Sequence, residues 1–141
     1  MNAKQYLSQL RSLDRKIAAR MEEVKRLKAE RTFLQGVSYD RDRVQTSATG
    51  NAQFERLADI ITDTERKVVE LARLRHRIMM QIEAMDKPEH TEILQLRYVE
   101  NERFEAIACT MGYTYSWTVQ LHGHALQAFY NKWLKPPENG V

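Results

Sequence analysis

From Met1 to Lys87 the chain contains no proline, and its only glycines there are Gly36 and Gly50. That scarcity of helix breakers constrains the fold more than any other feature. Gly and Pro cost about 1 and 3 kcal/mol relative to Ala in a helix interior, so a long segment almost free of both is built from long helices.

Two apolar stripes fit this expectation. Tyr6, Leu10, Leu13, Ile17, Met21, Val24, Leu27 and Leu34 recur three or four residues apart and predict one helix over residues 2–35. Arg20 and Arg31 stand where a strict heptad wants an apolar side chain. Leu57, Ile60, Ile61, Thr64, Val68, Leu71, Arg75, Ile78, Ile82 and Met85 mark a second helix over residues 52–86. Between them, residues 35–51 are rich in Ser, Thr, Asp, Asn and Gly and read as a long loop. Each stripe needs a cover, which predicts an antiparallel helical hairpin. A homodimer that joins hairpins through the long helices is equally compatible.

The pattern shortens after Lys87-Pro88, because the residue before proline is pushed out of the α region. Glu89 to Tyr98 reads as one short helix and Arg103 to Met111 as another. Gly112 breaks the chain, and a longer helix follows from about Ser116 to Leu134, stopped by Pro136-Pro137. The predicted fold is therefore all-α. Residues 1–86 form a hairpin arm, residues 87–135 a helix-turn-helix module, and residues 136–141 a tail.

Ala108, Gly112, Thr118 and Leu121 carry the helix-turn-helix signal. Ala108 is small enough for close approach of the next helix, and Gly112 tolerates the positive φ of a tight turn. Thr118 and Leu121 fall where the second helix turns inward, and Val119 leaves a register one residue later open. With Thr118, Leu121, His122, Ala125 and Phe129 inward, Trp117, Gln120, His124, Gln127 and Asn131 face outward. Gln and Asn can pair with adenine edges in a major groove. Thr114, Tyr115 and Ser116 sit at the helix N-terminus, where hydroxyls and free N–H groups can hold phosphate. Arg97 and Arg103 can add phosphate contacts or pair with Glu100 and Glu102.

Charge is unevenly placed. Residues 1–85 carry 17 Lys and Arg against 12 Asp and Glu, whereas residues 86–141 carry 5 against 7. The helix-turn-helix segment is thus slightly acidic, which opposes phosphate attraction and leaves a protein partner as the other reading of the same surface.

The single cysteine, Cys109, excludes an internal disulfide framework and any multi-cysteine zinc site, and is expected to be buried or half-buried. His122 and His124 are two apart, not the i,i+4 of a helical metal pair; a structural role is expected for His122. No cofactor or metal is expected. Phosphate-loop, metalloprotease and nucleophile-elbow motifs do not occur, so a binding protein is expected and not an enzyme. No apolar run approaches a membrane span, and a cytoplasmic setting is expected.

Glu92-Ile93-Leu94-Gln95-Leu96-Arg97-Tyr98, then Arg103-Phe104-Glu105-Ala106-Ile107-Ala108 and Met111-Gly112-Tyr113, resemble region 4 of bacterial sigma factors. The resemblance is to the small region-4-like proteins of phages and prophages of Gram-positive bacteria. Leu121 to Leu126 and the run from Val37 to Ser47 are similar to that phage type as well. The resemblance implies a phage-type transcription regulator in a bacterial host, contacting promoter double-stranded DNA, RNA polymerase, or both. By position it assigns Arg97 to a backbone contact and residues 114–120 to the start of a recognition helix. The chain departs from region 4 in offering Gln120, His122 and His124 where basic residues are usual. A protein-interaction module and a phage DNA packaging or assembly factor are the alternatives.

Overall fold

The computed structural model describes residues 1–40 and 48–138. It is all-α, with no strand among the described residues. Two long helices, α1 (Ala3–Asp40) and α2 (Ala48–Glu83), pack together. Three short ones follow: α3 (Pro88–Leu94), α4 (Phe104–Met111) and α5 (Tyr115–Phe129). α3 and α5 each continue into one wide π-helical turn, Gln95–Val99 and Tyr130–Leu134. These turns close through bonds from Glu100 N–H to Gln95 O and from Lys135 N–H to Tyr130 O.

The long helices extend further than their composition suggests. α1 continues to Asp40 and α2 starts at Ala48, so the expected loop at 35–51 narrows. Its centre, residues 41–47, lies outside the described residues. Within a long helix each added residue gains a hydrogen bond without a new nucleation cost, which lets propagation run through Ser and Gly positions.

The chain divides into two compact units, one of Met1–Asp14 with Leu74–Val141 and one of Arg15–Arg73. The first turns of α1 and the last turns of α2 belong with the short helices, because their apolar side chains supply that unit's core. Leu7, Leu10, Leu13, Ile78 and Ile82 are buried there, as are Ile93, Leu94, Ile107, Leu121, Ala125 and Phe129. Tyr6 lies against Phe129 with ring centroids 5.7 Å apart. α1 and α2 run antiparallel here, since Tyr6 hydrogen-bonds Gln81 and Asp14 pairs with Arg75.

Three side chains finish the C-terminal end of α2, whose last carbonyls have no partner inside the helix. The Trp133 indole N–H donates to Gln81 O at 3.1 Å, and the Thr91 hydroxyl donates to Ile82 O at 2.8 Å. Lys132 donates to Ala84 O and pairs with Asp86 at 2.8 Å. A cation there also meets the negative end of the helix dipole.

In the unit Arg15–Arg73, Leu57, Ile61 and Thr64 are buried, and Ile17, Val24, Leu27 and Leu34 are half-buried. The Thr64 hydroxyl is satisfied by Ile60 O at 2.7 Å. Lys28 pairs with Glu65 at 3.2 Å, an exposed pair of small energetic weight. Met21 and Ile60, placed on the apolar stripes by spacing, are 58% and 48% exposed.

Leu7→Ala is expected to destabilise the chain by about 3 kcal/mol, the usual loss for a fully buried leucine, and Met21→Ala by less than about 0.5 kcal/mol. Urea unfolding followed by circular dichroism separates the two. A fragment starting at Lys87 lacks Leu7, Leu10, Leu13, Ile78 and Ile82 of its unit's core and is expected to show no cooperative thermal transition. A fragment as stable as the full chain would refute the shared core.

Candidate functional site

The candidate site is the outer surface of α5, and it is positioned by two backbone reversals. The first follows the π turn of α3: Asn101 has φ 58°, a left-handed conformation that Asn adopts more readily than other side chains. Arg103 is extended and starts α4. The second reversal is at Gly112, with φ 72°. The N–H groups of Gly112 and Tyr113 both bond Ala108 O, which closes α4. Thr114 is extended and caps α5, accepting from Trp117 N–H at 3.1 Å.

The register of α5 is the predicted one. Thr118, Leu121, His122, Ala125 and Phe129 are buried, and Val119 is 38% exposed. Thr118 is tolerated where an aliphatic is usual because its hydroxyl donates to Thr114 O at 2.8 Å. α5 packs against both α3 and α4.

A polar network holds the three short helices together. His122 Nε2 and the Tyr98 hydroxyl are 2.7 Å apart. Burial, reinforced by the positive charges of Arg97 and Lys4, pushes the His122 pKa down to about 4. Burial likewise pushes Tyr98 up to about 12. At neutral pH both groups are therefore uncharged and share one hydrogen bond, whose donor is set by the imidazole tautomer. Phe104 meets the His122 ring edge-on at 4.9 Å, and the Arg97 guanidinium lies 4.2 Å above Phe104. Arg97 also donates to Glu102 O at 2.9 Å.

The site residues read from the sequence separate into two groups. Trp117, Gln120 and His124 are exposed on one surface, with Thr114, Tyr115 and Ser116 exposed at its N-terminal end. Trp117 joins Tyr113 and His124 in a chain of edge-on aromatic contacts at 6.5 and 5.9 Å. Further along, Gln127 donates to Asn131 at 3.1 Å. Arg103 is exposed at the start of α4. Arg97 is apart from these: its guanidinium is half-buried and occupied by Phe104 and Glu102 O. Cys109 is exposed, contrary to expectation, because Ile107 and Ala108 take the inward positions of α4 and the next residue turns out.

Sequence reasoning missed Glu89, whose carboxylate accepts from the Tyr113 hydroxyl at 3.3 Å. Glu89 is near Tyr113 only after folding, since the two are 24 positions apart in the sequence. Spacing carries no signal for that. No Lys or Arg occurs between Arg103 and Lys132. Among the described residues no group of three or more His, Cys, Asp or Glu could hold a metal ion. None of their helices is long and apolar enough to cross a membrane.

No family model, no curated protein and no solved structure matches this chain.

The network makes the fold sensitive to acid. The unfolded chain protonates His122 near its ordinary pKa of 6.5, whereas the folded chain resists until about pH 4. Stability is thus expected to be full above about pH 6.5 and to fall by up to about 3 kcal/mol on acidification to about pH 4. Burial lowers the His90 pKa too, which adds in the same direction. His122→Gln keeps an acceptor for Tyr98 but cannot titrate. Its melting temperature should fall less steeply with acid than that of the parent chain; equal slopes would remove His122 from the linkage.

Proposed function

We propose that this chain is a DNA-binding transcription regulator of phage type, reading duplex DNA through the outer surface of α5. The observation that carries the reading is the α4–Gly112–α5 arrangement, with Thr118 and Leu121 buried and Gln120 and His124 outward. An exposed amide on a helix that can enter a major groove suits paired hydrogen bonds to adenine. The first-turn N–H groups of α5 and the exposed Arg103 suit phosphate. The resemblance to sigma region 4 supports the same reading and adds RNA polymerase as a further contact.

Electrostatics set the terms of such binding. The unit containing α5 has nine Lys and Arg against nine Asp and Glu, and the unit Arg15–Arg73 has thirteen against ten. Backbone attraction from the α5 unit alone is weak, so base contacts must supply a large share of affinity. Phosphate contacts from the basic unit or from a second copy would supplement them.

The exposed Tyr113–Trp117–His124 chain, with Glu89 beside it, favours a second reading, a protein-docking surface. Recovery of RNA polymerase subunits by the tagged chain after complete nuclease digestion would favour docking; recovery only while DNA is intact would favour the first reading.

The test of DNA reading is selection from randomised duplexes, then anisotropy titration at several salt concentrations. Gln120→Ala is expected to weaken the selected duplex about tenfold and to relax preference at one position. Arg103→Ala should weaken all duplexes alike and lower the salt slope by about one. Arg97→Ala should lower the melting temperature, as loss of the Phe104 contact requires. Absence of binding at the lowest salt would refute the proposal.

A further inference from the structure

α5 carries no Lys or Arg of its own, but α1 brings one to its side. Asn2 and Lys4, at the start of α1, line a groove of about 390 Å³ together with Gly123, Gln127 and Tyr130. Both walls belong to one compact unit, Met1–Asp14 with Leu74–Val141. The first turn of α1 is held firmly. Ala3 and Leu7 are buried in the core, which turns Lys4 outward. Asn2 Oδ1 accepts from Gln5 N–H at 2.7 Å, and Asn2 N–H donates to Gln5 Oε1 at 3.1 Å. Gly123 adds no side chain to the groove, and a Cβ there would meet nothing within 4 Å. Burial first, then the charges of Arg97 and Lys4, lower the His122 pKa, so the Lys4 ammonium is within electrostatic reach of α5.

The other cations of the unit narrow the choice. Arg75, Lys132 and Lys135 pair with Asp14, Asp86 and Glu138, and Arg97 is held by Phe104 and Glu102 O. Lys4 is exposed and forms no ion pair among the described residues. It is also the cation that lines this groove. Gln127 follows Gln120 by seven residues on the same outward row, about 10 Å along the helix axis at about 1.5 Å per residue. A major groove is about 12 Å wide. An α5 that sets Gln120 against base edges therefore leaves the Gln127 end, with Lys4 beside it, at the backbone rim of the groove.

We propose that Lys4 is a phosphate-binding residue of the α5 surface, and that the groove between the first turn of α1 and α5 receives one backbone phosphate of a duplex. The inference rests on the DNA reading above and supplies the cation that α5 itself lacks. Gln127 and the Tyr130 hydroxyl add hydrogen-bond donors along the same groove. A phosphate contact fixes how the helix sits on the duplex and carries no sequence information. Lys4 thus acts on grip and orientation, and Gln120 on sequence.

Lys4→Gln in the full chain tests this, with Arg11→Gln as its control. Arg11 is exposed on the same helix of the same unit but does not line the groove. Lys4→Gln is expected to weaken selected and mixed-sequence duplexes alike, about fivefold at low salt, and to lower the salt slope by about one. Its melting temperature should equal the parent's, since the ammonium has no ion-pair partner to lose. Lys4→Arg keeps the charge and should keep the parent slope. Arg11→Gln should change affinity less than about twofold and leave the slope as it was, because a charge about 10 Å away is largely screened. Equal effects of Lys4→Gln and Arg11→Gln, or an unchanged slope for Lys4→Gln, would overturn the inference while leaving DNA binding intact. If the parent chain binds no duplex at the lowest salt, the DNA reading fails and the phosphate role of Lys4 fails with it.

Discussion

The three short helices cannot bury their own apolar surface, and everything else in their unit follows from that shortage. α3 and α4 have seven and eight residues, well below the length at which an isolated helix is stable in water. α5 has fifteen residues, five of them buried, and ends its inward row on Phe129. A core of this size needs more apolar area than three such helices supply. The first turns of α1 and the last turns of α2 provide it. The helix-turn-helix is therefore not a separate bead on a helical arm; the two ends of the hairpin are part of its structure.

Polar groups make that sharing specific. Apolar surfaces would tolerate sliding of α2 past the short helices, but the carbonyls at its end would not. Trp133, Thr91 and Lys132 each take one of them, and they come from both ends of the module. Tyr98, His122, Phe104 and Arg97 draw one residue or more from each short helix or its continuing turn. Breaking one member leaves a buried group without its partner, which costs more than the bond contributes when made. The π turn that carries Arg97 and Tyr98 supports this arrangement, since one extra residue in a turn re-aims the side chains that follow.

Helix type and the inward register of α5 were legible because they depend on short-range periodicity and on Gly112. Thr118 was legible too, although polar, since its position in the row mattered more than its hydrophobicity. Leu7 was missed because one stripe was drawn through Tyr6 and Leu10, while in the folded unit the N-terminal turns of α1 are covered on a wider face. Met21 was placed inward because spacing alone cannot tell which member of a stripe finds a partner. The packing of Arg97 was illegible for a similar reason. A guanidinium in a surface-like sequence gives no sign of an aromatic ring seven residues later that will sit beneath it. The Glu89–Tyr113 contact was illegible, because it is made across two backbone reversals.

An exposed α5 surface is limited by the groups it carries. In a helix-turn-helix, packing fixes which residues point outward, but it does not fix their charge. Here the inward row obeys the architecture closely, and the outward row holds aromatic and amide groups with no charged side chain among them. Such a surface gains little from long-range attraction and much from close fit, because aromatic and amide contacts act only at contact distance. Electrostatic steering, which speeds encounter with any phosphate backbone, is largely given up. A protein built this way would search slowly alone. On the proposed DNA reading it would gain most when something else brings it to a duplex, such as a second copy or a partner already bound there. On that reading the surface of α5 would decide what is kept and not what is found.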